Sequence, residues 1–279
     1  MALIRANEID IEVERHGDPA ATPLLMIRGL GTQIIHWPRD MIDGFVAAGF
    51  HVVTYDNRDA GRSQSFAGQP PYTVADMAAD GIGVLDALGI DRAHVLGISM
   101  GGMILQSMLL DHRERLLSAT IVMSSSRAEG LPGRSPEMEE LLFKDPGDPA
   151  EDLEGVVDHI LYCDRVWGSP GFPFNEAERR ALIRRAIDRS YRPDGVMRQG
   201  MAVMSADSPA ARLGEVTTPV LVIHGDSDAL LPVEHGRDIA ARIPGARYEE
   251  IAGMGHDLDA GVGPIVVGMV ADFVCGSNT

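Results

Sequence analysis

Five residues, Gly97-Ile98-Ser99-Met100-Gly101, place a hydroxyl between two glycines. Ahead of them Ala93 to Ile98 is apolar and β-leaning, broken only by His94 and Gly97. Behind them Met103 to Leu110 runs without a helix breaker. A serine on a strand-to-helix turn must take a strained backbone conformation, and only very small neighbours avoid a clash there. Such a turn lifts the hydroxyl above the sheet. The helix start behind it sets free backbone N–H groups beside any negative charge that develops. The chemistry this fits is nucleophilic attack on an acyl carbon.

A serine hydroxyl is a weak nucleophile at neutral pH and needs a base, and the base needs an acid to fix its tautomer. Of nine histidines, His16, His36, His51, His94, His112, His159 and His235 fall in turns, helices or strand starts, where surface or structural roles are expected. His224 ends a strand and competes for the part. His256 lies in Gly253-Met254-Gly255-His256-Asp257, a glycine-freed loop after the last strand, and is the expected base. Asp226 and Asp228 both follow the strand ending at His224, at the carboxyl edge where catalysts gather in open α/β sheets. Either could be the acid, and the other would cap a turn.

These residues need a scaffold, and the hydrophobic pattern supplies one. Ile9–Glu14 alternates apolar and charged residues, as a half-exposed strand does. Leu24–Ile27, Phe50–Tyr55, Ala93–Ile98, Ala119–Met123 and Pro219–His224 are near-continuous apolar runs, expected of parallel strands covered on both faces. Arg247–Ile251 reads as a last strand. Helices are expected around Met41–Ala48, from Thr73 (with a capping-box start) to Gly89, after Ser99, at Val233–Arg242 and at Pro264–Phe273. The alternation predicts an α/β fold with a mostly parallel sheet between helical layers.

From 127 to 212 strand-like runs vanish and Pro, Gly and acidic clusters increase. That predicts a helical cap inserted in a core formed by 1–126 and 213–279. Asn175 opens one of its helices, with Ile183, Ala186, Ile187 and Tyr191 on one face and Arg184, Arg185 and Arg189 expected on a solvated one. Trp167, Phe172 and Phe174 there could line a substrate pocket, and Gly29 sits in a glycine loop whose amides can face a ligand.

The 279 residues are 45% hydrophobic and 23% charged, ordinary for a globular protein. Acidic residues exceed basic ones by 41 to 24, a net charge of −17. That field repels phosphate backbones and anionic membrane surfaces, which excludes a nucleic-acid partner and favours neutral, apolar substrates over anionic ones. Cys163 and Cys275 have no metal-like spacing and are expected to be reduced thiols. With neither a leader-like stretch nor a ~20-residue apolar span, a cytoplasmic enzyme without membrane contact is expected. The oligomeric state is left open.

The chain order Ser…Asp…His is that of the α/β-hydrolases, and along nearly the whole core the sequence resembles esterases of that fold. The resemblance is carried by Gly97-Ile98-Ser99-Met100-Gly101, the Gly29 loop, Tyr55-Asp56-x-Arg58-x-x-Gly61-Arg62-Ser63, Asp228-x-x-x-Pro232 and Gly253-Met254-Gly255-His256. It implies Asp228, four residues before Pro232, as the acid, and the backbone N–H groups of Leu30 and Met100 as the oxyanion hole. It implies carboxylic-ester hydrolysis with neither metal nor organic cofactor. A closer similarity is to aclacinomycin methylesterase-type hydrolases of bacterial anthracycline biosynthesis, on the same turn, Ser99-Met100-Gly101, Trp37-Pro38 and the Gly-Met-Gly-His loop. Arg28 departs from the His found before the loop glycine in many members and could alter how that loop is held. Asp59 replaces a common Gly, but the closer relatives share it. Lactone hydrolysis, cofactor-free perhydrolysis and a ligand-receptor role use the same residues and remain alternatives.

Overall fold

The strands form because their side chains are apolar on both faces. In β3 (Thr22–Ile27), Leu24 and Met26 enter one buried layer and Leu25 and Ile27 the other. The same alternation runs through β4 (Phe50–Tyr55), β5 (Ala93–Ile98), β6 (Leu116–Val122) and β7 (Val220–Gly225). A period of two with both sets apolar requires helices on both sides of the sheet. The computed structural model describes residues 1–68, 71–258 and 261–276. Among them eight strands form one sheet in the order β1-β2-β4-β3-β5-β6-β7-β8, with β1 (Ala2–Ala6), β2 (Ile9–His16) and β8 (Arg247–Ile251) completing it. β2 is antiparallel to both neighbours, and the remaining pairs are parallel.

Helices α2 (Val74–Ala87), α3 (Met100–Asp111) and α8 (Glu234–Arg242) cover one face, while α1 (Arg39–Ala47) and α9 (Val262–Gly276) cover the other. Thr73 closes a capping box on α2: its hydroxyl accepts from Asp76 N–H, and the Asp76 carboxylate accepts from Thr73 N–H. The helix terminates at Gly89, whose φ of +68° suits glycine.

The connections run outward from β3 to β4, then cross back to β5 on the other side of β3. The strand order therefore reverses between β3 and β5. Beyond their carboxyl ends, where nothing continues the sheet, a crevice opens. The loop from 28 to 33 and the Ser99 turn both enter it.

Between β6 and β7 the described chain contains helices and no strand: α4 (Pro136–Phe143), α5 (Pro149–Trp167), α6 (Glu176–Arg189) and α7 (Pro193–Ser205). Prolines at the first helical turn start α4, α5 and α7, and side-chain caps from Ser135, Asp148 and Asn175 start α4, α5 and α6. α5 and α6 share a small core of Val157, Leu161 and Ile183. The solvated arginine face expected on α6 holds for Arg184, paired with Glu154. It fails for Arg189. That side chain is buried, 2.7 Å from the Asp56 carboxylate, and donates to Gln33 Oε1 at 2.7 Å. A helical wheel shows what lies off the apolar stripe but not what another segment brings to meet it.

Candidate active site

Ser99 holds φ +53° and ψ −120°, a left-handed conformation that side-chain-bearing residues seldom take. Backbone approaches force the small neighbours. A Cβ on Gly97 would lie 2.3 Å from the Gly101 carbonyl oxygen, and one on Gly101 would lie 2.2 Å from that of Ile27. Two bonds pin the turn: Ser99 N–H to the Val122 carbonyl at 3.0 Å, and Ser124 Oγ to the Ser99 carbonyl at 2.8 Å. The strain at Ser99, about 1–3 kcal/mol for such a conformation, is thus held by β3, β6 and α3.

The hydroxyl donates to His256 Nε2 at 2.9 Å, and His256 Nδ1 donates to Asp228 Oδ2 at 2.7 Å. Asp228 Oδ1 accepts from the backbone N–H groups of Leu230 and Leu231. Burial alone would raise this carboxyl's pKa. The charge of His256 and hydrogen bonds from His224 and His256 outweigh it and hold the group below the usual carboxylate range. His224, the competing base, lies behind the aspartate. Its Nε2 donates to the Leu231 carbonyl at 2.8 Å and sits 3.5 Å from Asp228 Oδ2, without a bond to the serine. Asp226 lies off this line and accepts from Gly253 N–H at 2.7 Å, at the base of the histidine loop.

That loop rests on the end of α5. His256 N–H donates to the Trp167 carbonyl at 2.6 Å, Gly255 N–H to Ser169 Oγ, and Ser169 in turn donates to both oxygens of Asp257. A Cβ on Gly255 would lie 2.0 Å from the Gly168 carbonyl oxygen, so only glycine permits the docking. Ser169 gave no signal in sequence, because its partner is 86 residues away.

Leu30 and Met100 line the same cavity as the serine. Gly29 passes so close that a Cβ there would sit 3.1 Å from Ser99 Cβ. The loop is fixed at several points: Thr32 Oγ1 donates to the Gly29 carbonyl, Arg28 Nε to Thr32 Oγ1, Asn57 Nδ2 to the Arg28 carbonyl, and Ile34 N–H to Asp56. From α7, the buried Gln199 accepts Gly31 N–H at 2.8 Å and donates to the Arg58 carbonyl at 2.7 Å. Nothing local in the sequence marks Gln199.

Ser99, His256, Gly29, Leu30, Met100 and Trp167 all line one cavity of about 740 Å³, a size ordinary for a small-molecule site. Phe172 does not join them. It lines a neighbouring cavity of about 630 Å³ and packs on the core under α1 and α9. Phe174 joins the small α5–α6 core, with Arg165 stacked on its ring. Cys163 borders the main cavity, but burial pushes its thiol up to about 11, which leaves it protonated and inert. Both cysteines are free. No helix among the described residues is long and apolar enough to cross a membrane, and none of their acidic, His and Cys side chains are grouped to hold a metal ion.

A strained serine at a strand–helix turn, a histidine bonded to it and a carboxylate behind that histidine lie together at the switch point of the α/β sheet. The model of the alpha/beta hydrolase fold matches residues 22–158. The chain is similar to the rhodomycin D methylesterase DnrP of Streptomyces peucetius, 35% identical over 93% of each chain. It is also similar to the putative carbamate hydrolase RutD of Caulobacter segnis, 30% identical over 87% of this chain and 88% of that one. Among solved structures, the enol-lactonase from Burkholderia xenovorans LB400 superposes with a TM-score of 0.79 at 24% identity, covering 98% of this chain and all of the other. The protein belongs to the α/β-hydrolase family.

Proposed function

We propose that the protein is a serine carboxylic-ester hydrolase in which Ser99 is the nucleophile, His256 the general base and acid, and Asp228 the residue that orients and stabilises the imidazolium. The observation that supports this most is the continuous hydrogen-bonded line Ser99–His256–Asp228, with separations of 2.9 and 2.7 Å. Likeness to a methylesterase over nearly the whole chain supports an ester as substrate.

Ser99 Oγ attacks the acyl carbon as its proton passes to His256 Nε2. The acyl C=O becomes an oxyanion, which the N–H groups of Leu30 and Met100 stabilise, each contributing about 3 kcal/mol on typical figures. The tetrahedral species collapses with cleavage of the C–O bond, and His256 returns its proton to the departing alcohol. Water then loses a proton to His256 as it attacks the acyl-enzyme, and the acid leaves with Ser99 restored. Asp228 remains ionised throughout, its charge balancing the imidazolium.

Residues 127–212 act as a cap in this reading. α5 seats the histidine loop, α7 braces the loop at Leu30, and Trp167, Ile183 and Ile187 give the cavity apolar walls. A small ester with an apolar body fits that lining. The test is hydrolysis of p-nitrophenyl esters from acetate to palmitate by the wild type and Ser99→Ala. Sustained turnover abolished in the variant is expected. Equal rates in both would refute the mechanism.

A further inference from the structure

One wall of the cavity carries a charge that the ester mechanism does not use. Arg28 is 9% exposed and borders the same cavity as Ser99. Its guanidinium stacks over the Trp37 ring at 4.7 Å, and its Nε donates to Thr32 Oγ1 at 3.2 Å. The ion pairs nearby serve other arginines: the buried pairs Arg58 with Asp80 and Arg189 with Asp56, and the half-buried pair Arg179 with Asp164. Among the described residues no carboxylate oxygen comes within 4.0 Å of Arg28.

Its remaining neighbours do not supply a counter-charge at contact. His36, also in the cavity wall, has its pKa pushed down to about 3 by burial and by Arg28, so it is neutral. Asp257 is engaged by Ser169. Burial first, then Arg179, brings Arg28 down to about 9 against the opposing pull of the Asp164 carboxylate, which lies in the same cavity wall but beyond ion-pair distance, and Arg28 stays charged at neutral pH. A cation taken out of water without a hydrogen-bonded anion is costly, and where it faces a ligand cavity the ligand can supply the anion. With Nε engaged by Thr32, the two Nη groups form a fork suited to the two oxygens of a carboxylate. The other walls include Leu30, Met103, Ile160, Ile183 and Ile187, which suit a hydrocarbon spacer.

We propose that the cavity takes an ester bearing a carboxylate at the far end of an apolar spacer, the half-ester of a dicarboxylic acid, and that Arg28 binds that carboxylate. This rests on the ester-hydrolase reading and specifies its substrate class. The net charge of −17, from which a neutral substrate is expected, acts at long range and is outweighed at this contact. Fields from exposed charges are screened beyond roughly 10 Å at ordinary ionic strength, whereas a contact at the largely buried Arg28 is screened much less.

The experiment compares monomethyl esters of straight-chain C4 to C8 dicarboxylic acids with methyl esters of the monocarboxylic acids of equal length. The readout is the ratio of kcat/KM values, half-ester to neutral ester, in the wild type, Arg28→Met and Arg28→Lys. At the best length the wild-type ratio should exceed about tenfold, the order that a charge-assisted hydrogen bond supplies. It should collapse toward one in Arg28→Met and partly recover in Arg28→Lys. A wild-type preference for the neutral ester at every length overturns the proposal. So does an Arg28→Met variant that slows both esters with an unchanged ratio, since Arg28 would then serve only to hold Thr32 and its loop. Calorimetric binding of the same half-esters to Ser99→Ala, with and without Arg28→Met, reads the subsite without turnover. Binding that Arg28→Met leaves unchanged overturns the subsite, whereas wild-type inactivity toward every ester overturns the hydrolase reading.

Discussion

Replacing Gln199 by Leu tests whether α7 sets the geometry of the loop beside the nucleophile. Gln199 is fully buried, and its two hydrogen bonds end on Gly31 N–H and the Arg58 carbonyl. Leucine keeps most of the volume but leaves both backbone groups without their partner. An unsatisfied buried group costs about 1–3 kcal/mol, so with two such groups the variant should lose roughly 2–6 kcal/mol of stability by urea denaturation. Gly31 follows Leu30, the proposed oxyanion donor, and Val196 packs where a Gly31 Cβ would be. Loss of one well-placed donor lowers kcat by about 10²–10³. The variant should therefore show kcat reduced by at least about tenfold, with KM changed much less, measured where it is fully folded. Val196→Ala, which trims the packing and spares both hydrogen bonds, should retain most of kcat. A Gln199→Leu variant destabilised as expected but with kcat within threefold of wild type would refute the coupling. One with unchanged stability would refute the burial argument.

Two further perturbations follow from the same geometry. Asp228→Asn removes the charge that balances the His256 imidazolium and invites the wrong imidazole tautomer, so kcat should fall by about 10⁴ with little change in KM, read in steady-state ester hydrolysis. Asp164 is raised by burial to about 6, against an unfolded value near 3.8. The folded state binds this proton more tightly, so its contribution to stability is fully present below about pH 4 and is lost as pH rises through 6. The stability of wild type relative to Asp164→Asn should accordingly fall by roughly 2–3 kcal/mol between pH 4 and 7. Paired urea titrations check this, and a difference that grows with pH would contradict it.

The sheet could be read from the sequence because strands buried on both faces leave continuous apolar runs. Phe50–Tyr55 and Ala93–Ile98 match the structure residue for residue. β1 was not legible. It is an edge strand with Leu3 exposed, and it turns into β2 through Asn7 and Glu8, both at positive φ, without the glycine that marks such hairpins. α3 begins at Met100, earlier than the breaker-free run from Met103 suggests, because the Ser99 turn leads directly into helix. Ser99 and His256 stood out through glycine spacing and position after strands, whereas position left Asp226 and Asp228 open and only the resemblance to α/β-hydrolases pointed to Asp228; the structure brings Ser99, His256 and Asp228 together. Arg189, Gln199 and Ser169 did not stand out. Each is an ordinary polar residue on or beside a helix, and its importance comes from a partner that folding delivers from far along the chain. Phe172 shows the converse: a cap aromatic expected to line the pocket that packs away from it.

The most direct test of the central claim is to label the protein with a fluorophosphonate and locate the adduct by peptide mass spectrometry while following esterase activity. One adduct per chain on Ser99, formed in step with loss of activity and absent in Ser99→Ala, is the expected result. Labelling of another serine such as Ser125, or activity that survives full modification of Ser99, would contradict it.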